Sequence, residues 1–374
     1  MNDYRRLPLG RLVQPGGGWL RLPGVNPLRI GLLGTARIAE TALVRPAASV
    51  PEVTVAAVAA RDQARAAAFA ERYGIPVVQA SYDALLANPD IDAVYNPLPN
   101  ALHAPWTIKA IAAGKHVLCE KPLASCAAEA EQVAAAAAAS GLVVMEAMHY
   151  RYHPVISMIG DRLRQISGRS GAGIRHLQCD VSFPLDGLGD IRYVYGLGGG
   201  ALMDGGCYAI DCLRLLGPGE PAVTGALADP YLRFPGCSAE HPGPPGAVAD
   251  RATAVSLAFP GGATAWFESS FTLDGQSRAE VHVIGEHGHV WATDFIQAHD
   301  GRLVAVRDGS VLADERGAGD TTYTMQLRAF AAAVAGGAPV PTSAAHAVGS
   351  MRLIDDAYRA AGLLPRPARA TSGG

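Results

Sequence analysis

The sequence predicts an α/β fold: an N-terminal doubly wound parallel sheet, then a C-terminal α+β domain on an open, mostly antiparallel sheet. Three observations predict it. Between residues 28 and 147, short apolar, β-branched runs alternate with helical periods, the rhythm of a parallel sheet with crossover helices. After about residue 150, strand-like runs follow one another without regular helices between them. The 374 residues suffice, at ~150 per domain, for two domains and not three.

The elements follow in order. Residues 1–27 are rich in Pro and Gly and show no period; they read as an N-terminal arm or a loose terminus. An apolar run over 28–33 ends in Gly34 and reads as a buried strand entering a turn. A helix over 37–48, broken near Pro46, comes next. Strands over 53–59, 75–79, 93–96, 116–119 and 142–147 alternate with helices over 63–73, 82–87, 103–113 and 125–140, the last capped by Ser125. Past residue 150 a helix spans 154–166. Strands are expected over 174–183, 253–259, 263–271, 279–285 and 289–293, with Pro260-Gly261-Gly262 as a hairpin turn. Residues 229–250 read as an exposed loop. Helices over 323–335 and 344–361 close the chain, and a frayed tail begins at Pro365. The domains are therefore placed at 28–150 and 151–374, after the arm at 1–27.

Composition excludes several classes. With 49% hydrophobic and 17% charged residues the chain is neither disordered nor collagen-like. A net charge of −3, from 31 basic and 34 acidic residues, offers no footprint for nucleic acid. The longest apolar stretch, 134–145, is too short to span a membrane. The six cysteines, Cys119, Cys126, Cys179, Cys207, Cys212 and Cys237, form no C-x-x-C pair, so reduced thiols in the cytoplasm are expected and no metal site. Arg5-Arg6 precedes no apolar segment and does not read as an export signal.

Gly34-Thr35-Ala36-Arg37-Ile38-Ala39 joins the first strand to the first helix in the frame G-x-A-x-x-A. Gly34 can make the tight turn, Ala36 lets backbone approach a pyrophosphate, and Ala39 permits close packing, so the helix N-terminus faces an anion. The same small residues also suit an ordinary start to a packed helix. At the end of the second strand stands Arg61 instead of the acid that holds an NAD ribose; an arginine there favours a 2′-phosphate and hence NADP, with NAD as the alternative. Arg61-Asp62 also serves simply as a helix start, with Asp62 as N-cap.

Cys119-Glu120-Lys121-Pro122 sits at a strand end, where such sheets place their ligands, and an X-Pro bond can turn cis and aim the lysine. These residues, with the Gly34–Ala39 loop, Pro99-Asn100-Ala101-Leu102-His103 and Gly198-Gly199-Gly200-Ala201-Leu202-Met203-Asp204-Gly205-Gly206-Cys207-Tyr208, resemble the glucose–fructose oxidoreductase / inositol dehydrogenase / rhizopine catabolism (Gfo/Idh/MocA) family. The resemblance runs from about residue 28 to 365 and implies a Rossmann domain binding a nicotinamide dinucleotide. It implies Lys121 as the catalytic-site lysine and Asp204 as the aspartate of a D-x-x-x-H motif whose histidine position holds Tyr208 here. That replacement looks like the branch of glucose–fructose oxidoreductase, dihydrodiol dehydrogenase and NADP-dependent xylose dehydrogenase. The implied cofactor contacts are Gly34, Thr35, Ala36, Arg37, Ile38, Arg61, Pro97, Asn100, His103, Glu120, Lys121, Glu146 and Arg151.

The residues then suggest a chemistry. Tyr208 would move the proton and Lys121 would polarise the substrate oxygen. The ammonium would also lower the phenol's pKa from ~10. Asp204, four residues before Tyr208, would orient substrate or lysine, or merely cap a helix; the glycine triplet would let backbone approach the ligand. His149, His153 and His346 receive no role. The expected activity is hydride transfer between NAD(P) and a CH–OH or C=O; the resemblance implies a carbohydrate-like substrate and a homodimer or homotetramer. The alternatives are an NADPH-dependent reductase of nucleotide-linked ketosugars, an enzyme recycling a tightly held cofactor, and a cofactor-sensing binder.

Overall fold

The computed structural model describes residues 27–167, 173–185, 190–230, 247–272 and 275–368. The arm at 1–26, Cys237 and most of the 229–250 loop lie outside the described residues.

Six parallel strands, β1 (Leu28–Leu33), β2 (Val53–Ala59), β3 (Val77–Gln79), β4 (Ala93–Asn96), β5 (His116–Cys119) and β6 (Val144–Glu146), form a sheet in the order β3-β2-β1-β4-β5-β6. The strand order reverses between β1 and β4, so a crevice opens outside their carboxyl ends. Local chemistry sets the helix limits. Asp62 accepts from Arg65 N at 3.1 Å to start helix Gln63–Tyr73, and Gly74 ends it in the left-handed region. Ser125 does not cap helix Ala127–Ser140. Cys126 occupies that position, and Glu129 reaches back past it to accept from Ser125 N at 2.9 Å.

One face of this sheet buries Ile30, Leu32, Val58 and Tyr95 together with Leu327 and Phe330 of helix Thr322–Gly336. The chain's C-terminal part thus returns to its first sheet. Thr342 fastens it there, Oγ1 donating to Glu146 O at 2.8 Å while Glu146 N donates to Thr342 O at 2.8 Å.

Eight strands form the second sheet: β7 (Ile174–Pro184), β8 (Ala222–Pro230), β9 (Asp250–Ala258), β10 (Thr264–Thr272), β11 (Arg278–Gly285), β12 (Gly288–Thr293), β13 (Arg302–Arg307) and β14 (Ser310–Arg316), ordered β14-β13-β12-β11-β7-β10-β9-β8. Every pair is antiparallel except β10 with β7. Period-two burial turns Leu177, Cys179, Val181, Phe267, Val281 and Val283 inward. The Pro260-Gly261-Gly262 turn joins β9 to β10 as expected.

Three strands escape the sequence pattern. β13 and β14 are an edge hairpin turning at Asp308-Gly309, both with positive φ, the D-G signature of a tight hairpin. β8 is an edge strand of small residues whose only large apolar side chain, Leu227, faces outward. The expected frayed tail is also corrected. Tyr195 Oη donates to Pro365 O at 2.7 Å, and the Arg366 guanidinium lies fully buried against Asp250 at 2.9 Å.

Candidate active site

Three strand ends and one helix build the site. After β1, Gly34 takes φ 85°, which favours glycine, with Leu98 Cδ2 a tight 3.1 Å from where a side chain would begin. A helix follows, π-helical over Glu40–Val44. After β4, buried Asn96 donates from Nδ2 to His103 O at 3.1 Å and Thr107 Oγ1 at 3.3 Å, fixing the turn that carries Pro97 and Asn100. His103 clips that turn to the next strand end, its ring nitrogens 2.7 Å from Leu98 O and 2.7 Å from Pro122 O. Burial lowers its pKa to about 4. After β5, Glu120 accepts from Tyr95 Oη at 2.6 Å, and burial pushes its carboxyl up. The Lys121–Pro122 peptide is cis.

Helix Cys207–Leu216 is preceded by a π-helical turn, Leu202–Gly206, so Asp204 lies inside helical structure and caps nothing. Its carboxylate instead receives Lys121 Nζ on Oδ1 and Arg192 Nε on Oδ2, and its carbonyl accepts Lys121 Nζ at 3.0 Å. Burial alone would raise the Asp204 pKa; Lys121 and Arg192 hold it at about 2. Arg192 Nη1 also meets Asp190 at 3.1 Å, and Asp190 meets Arg37 at 3.2 Å. Alternating charges thus run from the lysine to the loop after β1. Lys121 keeps its proton because Asp204 outweighs the effect of burial.

Tyr208 departs from expectation. Lys121 Nζ lies 5.1 Å from the centroid of its ring and spends its hydrogen bonds on Asp204. Burial, Tyr323 and Glu120 push the phenol well above its usual range. The hydroxyl pairs with His149 Nε2 at 3.0 Å, and His149 Nδ1 with Thr322 Oγ1 at 2.7 Å. The phenol pKa is therefore raised, not lowered as expected from the nearby ammonium.

A cavity of about 620 Å³ joins these groups, ample for a small-molecule site. Of the residues singled out above, Ala36, Arg37, Ile38, Pro97, Asn100, His103, Glu120, Lys121, Asp204 and Tyr208 line it. Gly34 and Thr35 form the turn just before its wall. Arg61 lies exposed past the end of β2, and Asp62 caps the next helix. Glu146 and Arg151 do not line it and have other partners. Glu146 accepts Leu123 N at 2.8 Å, and Arg151 pairs with buried Asp211 at 3.0 Å. Of the glycine triplet, Gly199 lines the cavity, whereas Gly200 serves protein contacts: a side chain there would strike Asp250, Arg366 and Tyr358. His149, Asp190, Arg192 and Tyr323 also line the cavity and carry no local sequence signal. No cluster able to hold a metal occurs among the described residues, and no described helix is long and apolar enough to cross a membrane.

A nicotinamide dinucleotide fits this arrangement. Small Ala36 and the start of the first helix line the same cavity as an ammonium and a phenol. Fold and site together define a dinucleotide-binding oxidoreductase. Residues 28–148 match the family model of the Gfo/Idh/MocA oxidoreductases, NAD-binding Rossmann fold, and residues 167–291 match a Gfo/Idh/MocA C-terminal domain. The chain belongs to this family. It is 35% identical to D-xylose 1-dehydrogenase (NADP(+)) 2 of Haloferax volcanii, over 89% of this chain and 97% of that one. It is 43% identical to a dTDP-3,4-didehydro-2,6-dideoxy-α-D-glucose 3-reductase of Streptomyces antibioticus, over 54% of this chain and 60% of that one. Among solved structures it resembles a 3-ketoreductase of Actinomadura kijaniata in complex with NADP and TDP-benzene. The TM-score is 0.78 at 29% identity, covering 90% of this chain and 98% of that one.

Proposed function

We propose that the protein transfers a hydride between NADP and a CH–OH or C=O group of a sugar or cyclic polyol, with Tyr208 as acid–base group and Lys121 beside it. The observation that carries this reading is the convergence of Lys121, Asp204 and Tyr208 on the cavity that Ala36, Arg37 and Ile38 line. The bound nicotinamide supplies or accepts the hydride. Tyr208, held protonated, gives its proton to the substrate oxygen in reduction and takes it back in oxidation. Lys121, charged and fixed by Asp204, stabilises negative charge as it develops on that oxygen. Gly34, Thr35, Ala36, Arg37 and Ile38 hold the pyrophosphate. Pro97, Asn100, His103 and Glu120 flank the nicotinamide end, and Arg61 meets the 2′-phosphate. NADP is named for the xylose dehydrogenase relative and bound in the ketoreductase structure.

The test is absorbance at the nicotinamide band with NADP+ and a panel of aldoses. Turnover should be abolished by Tyr208→Phe and Lys121→Met; no reaction with any polyol or ketosugar refutes the reading. The likeness to the ketoreductase favours a second reading, reduction of a nucleotide-linked ketosugar, which predicts turnover with NADPH and that substrate alone.

Residues 28–150 serve as the dinucleotide-binding unit, and 151–374 form the substrate and assembly unit. The outer face of the eight-stranded sheet presents Trp266 and Trp291, 39% and 38% exposed, and suits association into a homodimer or homotetramer. The five described cysteines are free and buried, which suits the cytoplasm.

A further inference from the structure

We propose that His149 is the positioning residue of the acid–base group: it donates a hydrogen bond from Nε2 to Tyr208 Oη, aims the phenol's own proton into the cavity, and steadies the phenolate once that proton leaves. The inference rests on the reading of Tyr208 as the acid–base group.

Three distant segments make the arrangement. His149 opens a 3-10 turn just after β6, Tyr208 lies in helix Cys207–Leu216, and Thr322 is the first residue of helix Thr322–Gly336. The imidazole is sandwiched flat on Tyr323, with ring centroids 3.9 Å apart and planes 30° apart. Its Nε2 is 3.0 Å from Tyr208 Oη and its Nδ1 2.7 Å from Thr322 Oγ1. Both ring nitrogens are therefore committed, and a flip of the ring would break both hydrogen bonds.

The tautomer follows from counting protons. Deeper in a helix, a threonine hydroxyl can donate to a carbonyl one turn back. Thr322 begins its helix and has no helical carbonyl behind it, so its proton is available to Nδ1. Burial and the Lys121 charge hold the imidazole neutral. A neutral ring accepting at Nδ1 carries its single proton on Nε2, pointed at Tyr208 Oη. A phenol has one proton. Were Nε2 the acceptor, Tyr208 would spend that proton on His149 and have none to offer substrate. With Nε2–H as donor, the phenol proton is free for the cavity that Tyr208 lines.

The step balances. In reduction the Tyr208 O–H bond breaks, and the proton goes to the substrate oxygen as the neighbouring carbon receives the hydride. The electron pair stays on Oη, facing Nε2–H, and a solvent proton restores the phenol after product leaves. Lys121 makes no hydrogen bond to Oη: two of its three protons go to Asp204, and its Nζ lies 5.1 Å from the centre of the phenol ring.

The experiment joins spectroscopy to kinetics on the full chain. Nitrogen-15 NMR of histidine-labelled protein at pH 7, with His149 assigned by its loss in His149→Gln, should show a neutral ring protonated at Nε2. His149→Phe keeps a ring on Tyr323 and loses the donor; kcat should fall about 10- to 100-fold with KM for sugar and NADP changed less than about threefold, the effect of losing one hydrogen bond to a developing anion. His149→Gln puts an amide N–H near Nε2 and should recover to within about fivefold of wild type. A ring protonated at Nδ1, a Phe variant within about threefold of wild type, or a Gln variant as impaired as a folded Phe variant overturns the assignment. Wild type inactive on every polyol and ketosugar would count against hydride transfer instead, while the tautomer still decides the place of His149.

Discussion

Arg366→Met tests whether the chain's end is a structural tie behind the active site. The arginine side chain has no exposed surface. Its Nη2 meets Asp250 Oδ1 at 2.9 Å and Tyr358 Oη at 2.9 Å, and its Nε donates to Gly199 O at 2.7 Å. The guanidinium lies 4.1 Å from the Tyr358 ring centroid and 4.7 Å from that of Tyr195. Methionine fills much of the space but leaves the Asp250 charge buried without a cation. Removing one partner of such a pair costs ~3–5 kcal/mol. Three donors stay on Asp250, from Tyr358 Oη, Leu202 N and Thr253 Oγ1, so the lower half of that range applies. At ~2.1 cal/mol/K of unfolding entropy per residue, 374 residues give about 0.8 kcal/mol/K. The expected fall in Tm is therefore about 4–5 °C by calorimetry at pH 7. Arg366→Lys keeps the charge but loses the planar fork, and should fall between the two. A methionine variant melting within about 1 °C of wild type would refute the argument.

Three further outcomes follow. Burial raises the Glu146 carboxyl to about 8. A group whose folded pKa exceeds its unfolded one loses stability as pH rises between the two, so wild type should weaken by about 3–5 kcal/mol from pH 4.5 to 8 relative to Glu146→Gln, read as a Tm difference that shifts in favour of the Gln variant as pH rises. Arg61→Ala should raise KM for NADP about 10-fold and leave KM for NAD unchanged, by loss of one charge-assisted contact to the 2′-phosphate; equal effects on both cofactors would place Arg61 outside the site. Asp204→Asn removes the carboxylate that keeps Lys121 charged against burial, so the alkaline limb of the kcat profile should move to lower pH, and an unmoved limb would separate Lys121 from that ionisation.

The first sheet was legible because its signals are local. Each strand is a short apolar run, and turn or cap residues such as Gly34, Asp62 and Gly74 punctuate the helices. Lys121 and Tyr208 were legible because they stand in specific motifs. What stayed hidden is made by distance. His149 carries no pattern that marks it, and its meaning comes from Tyr208 and Thr322, 59 and 173 residues away. Arg366 sits among prolines in a stretch that reads as a tail, and its burial depends on Asp250, 116 residues earlier. The β13–β14 hairpin was within reach, since Asp308-Gly309 between alternating residues is a strong turn signal. β8 was not, because an edge strand of small residues has no hydrophobic period to read.

The glycine triplet shows how such hidden contacts shape the visible motif. Gly200 takes φ 135°, and any side chain there would run into Asp250, Arg366 and Tyr358. The glycine therefore answers a buried ion pair, not a ligand. That same Asp250 turns its other oxygen to Leu202 N at 2.7 Å, at the start of the helical turn carrying Asp204 and leading to Tyr208. One carboxylate thus neutralises the guanidinium of Arg366 and satisfies a free N–H at the helix start. Asp250 thus ties Arg366 to the helix start that leads to Asp204 and Tyr208. The glycines, the aspartate and the tyrosine read in sequence as one signature, yet Gly200 answers Asp250 and Arg366, Gly198 makes room for Asn100, and Gly199 packs on Arg192 while also lining the cavity.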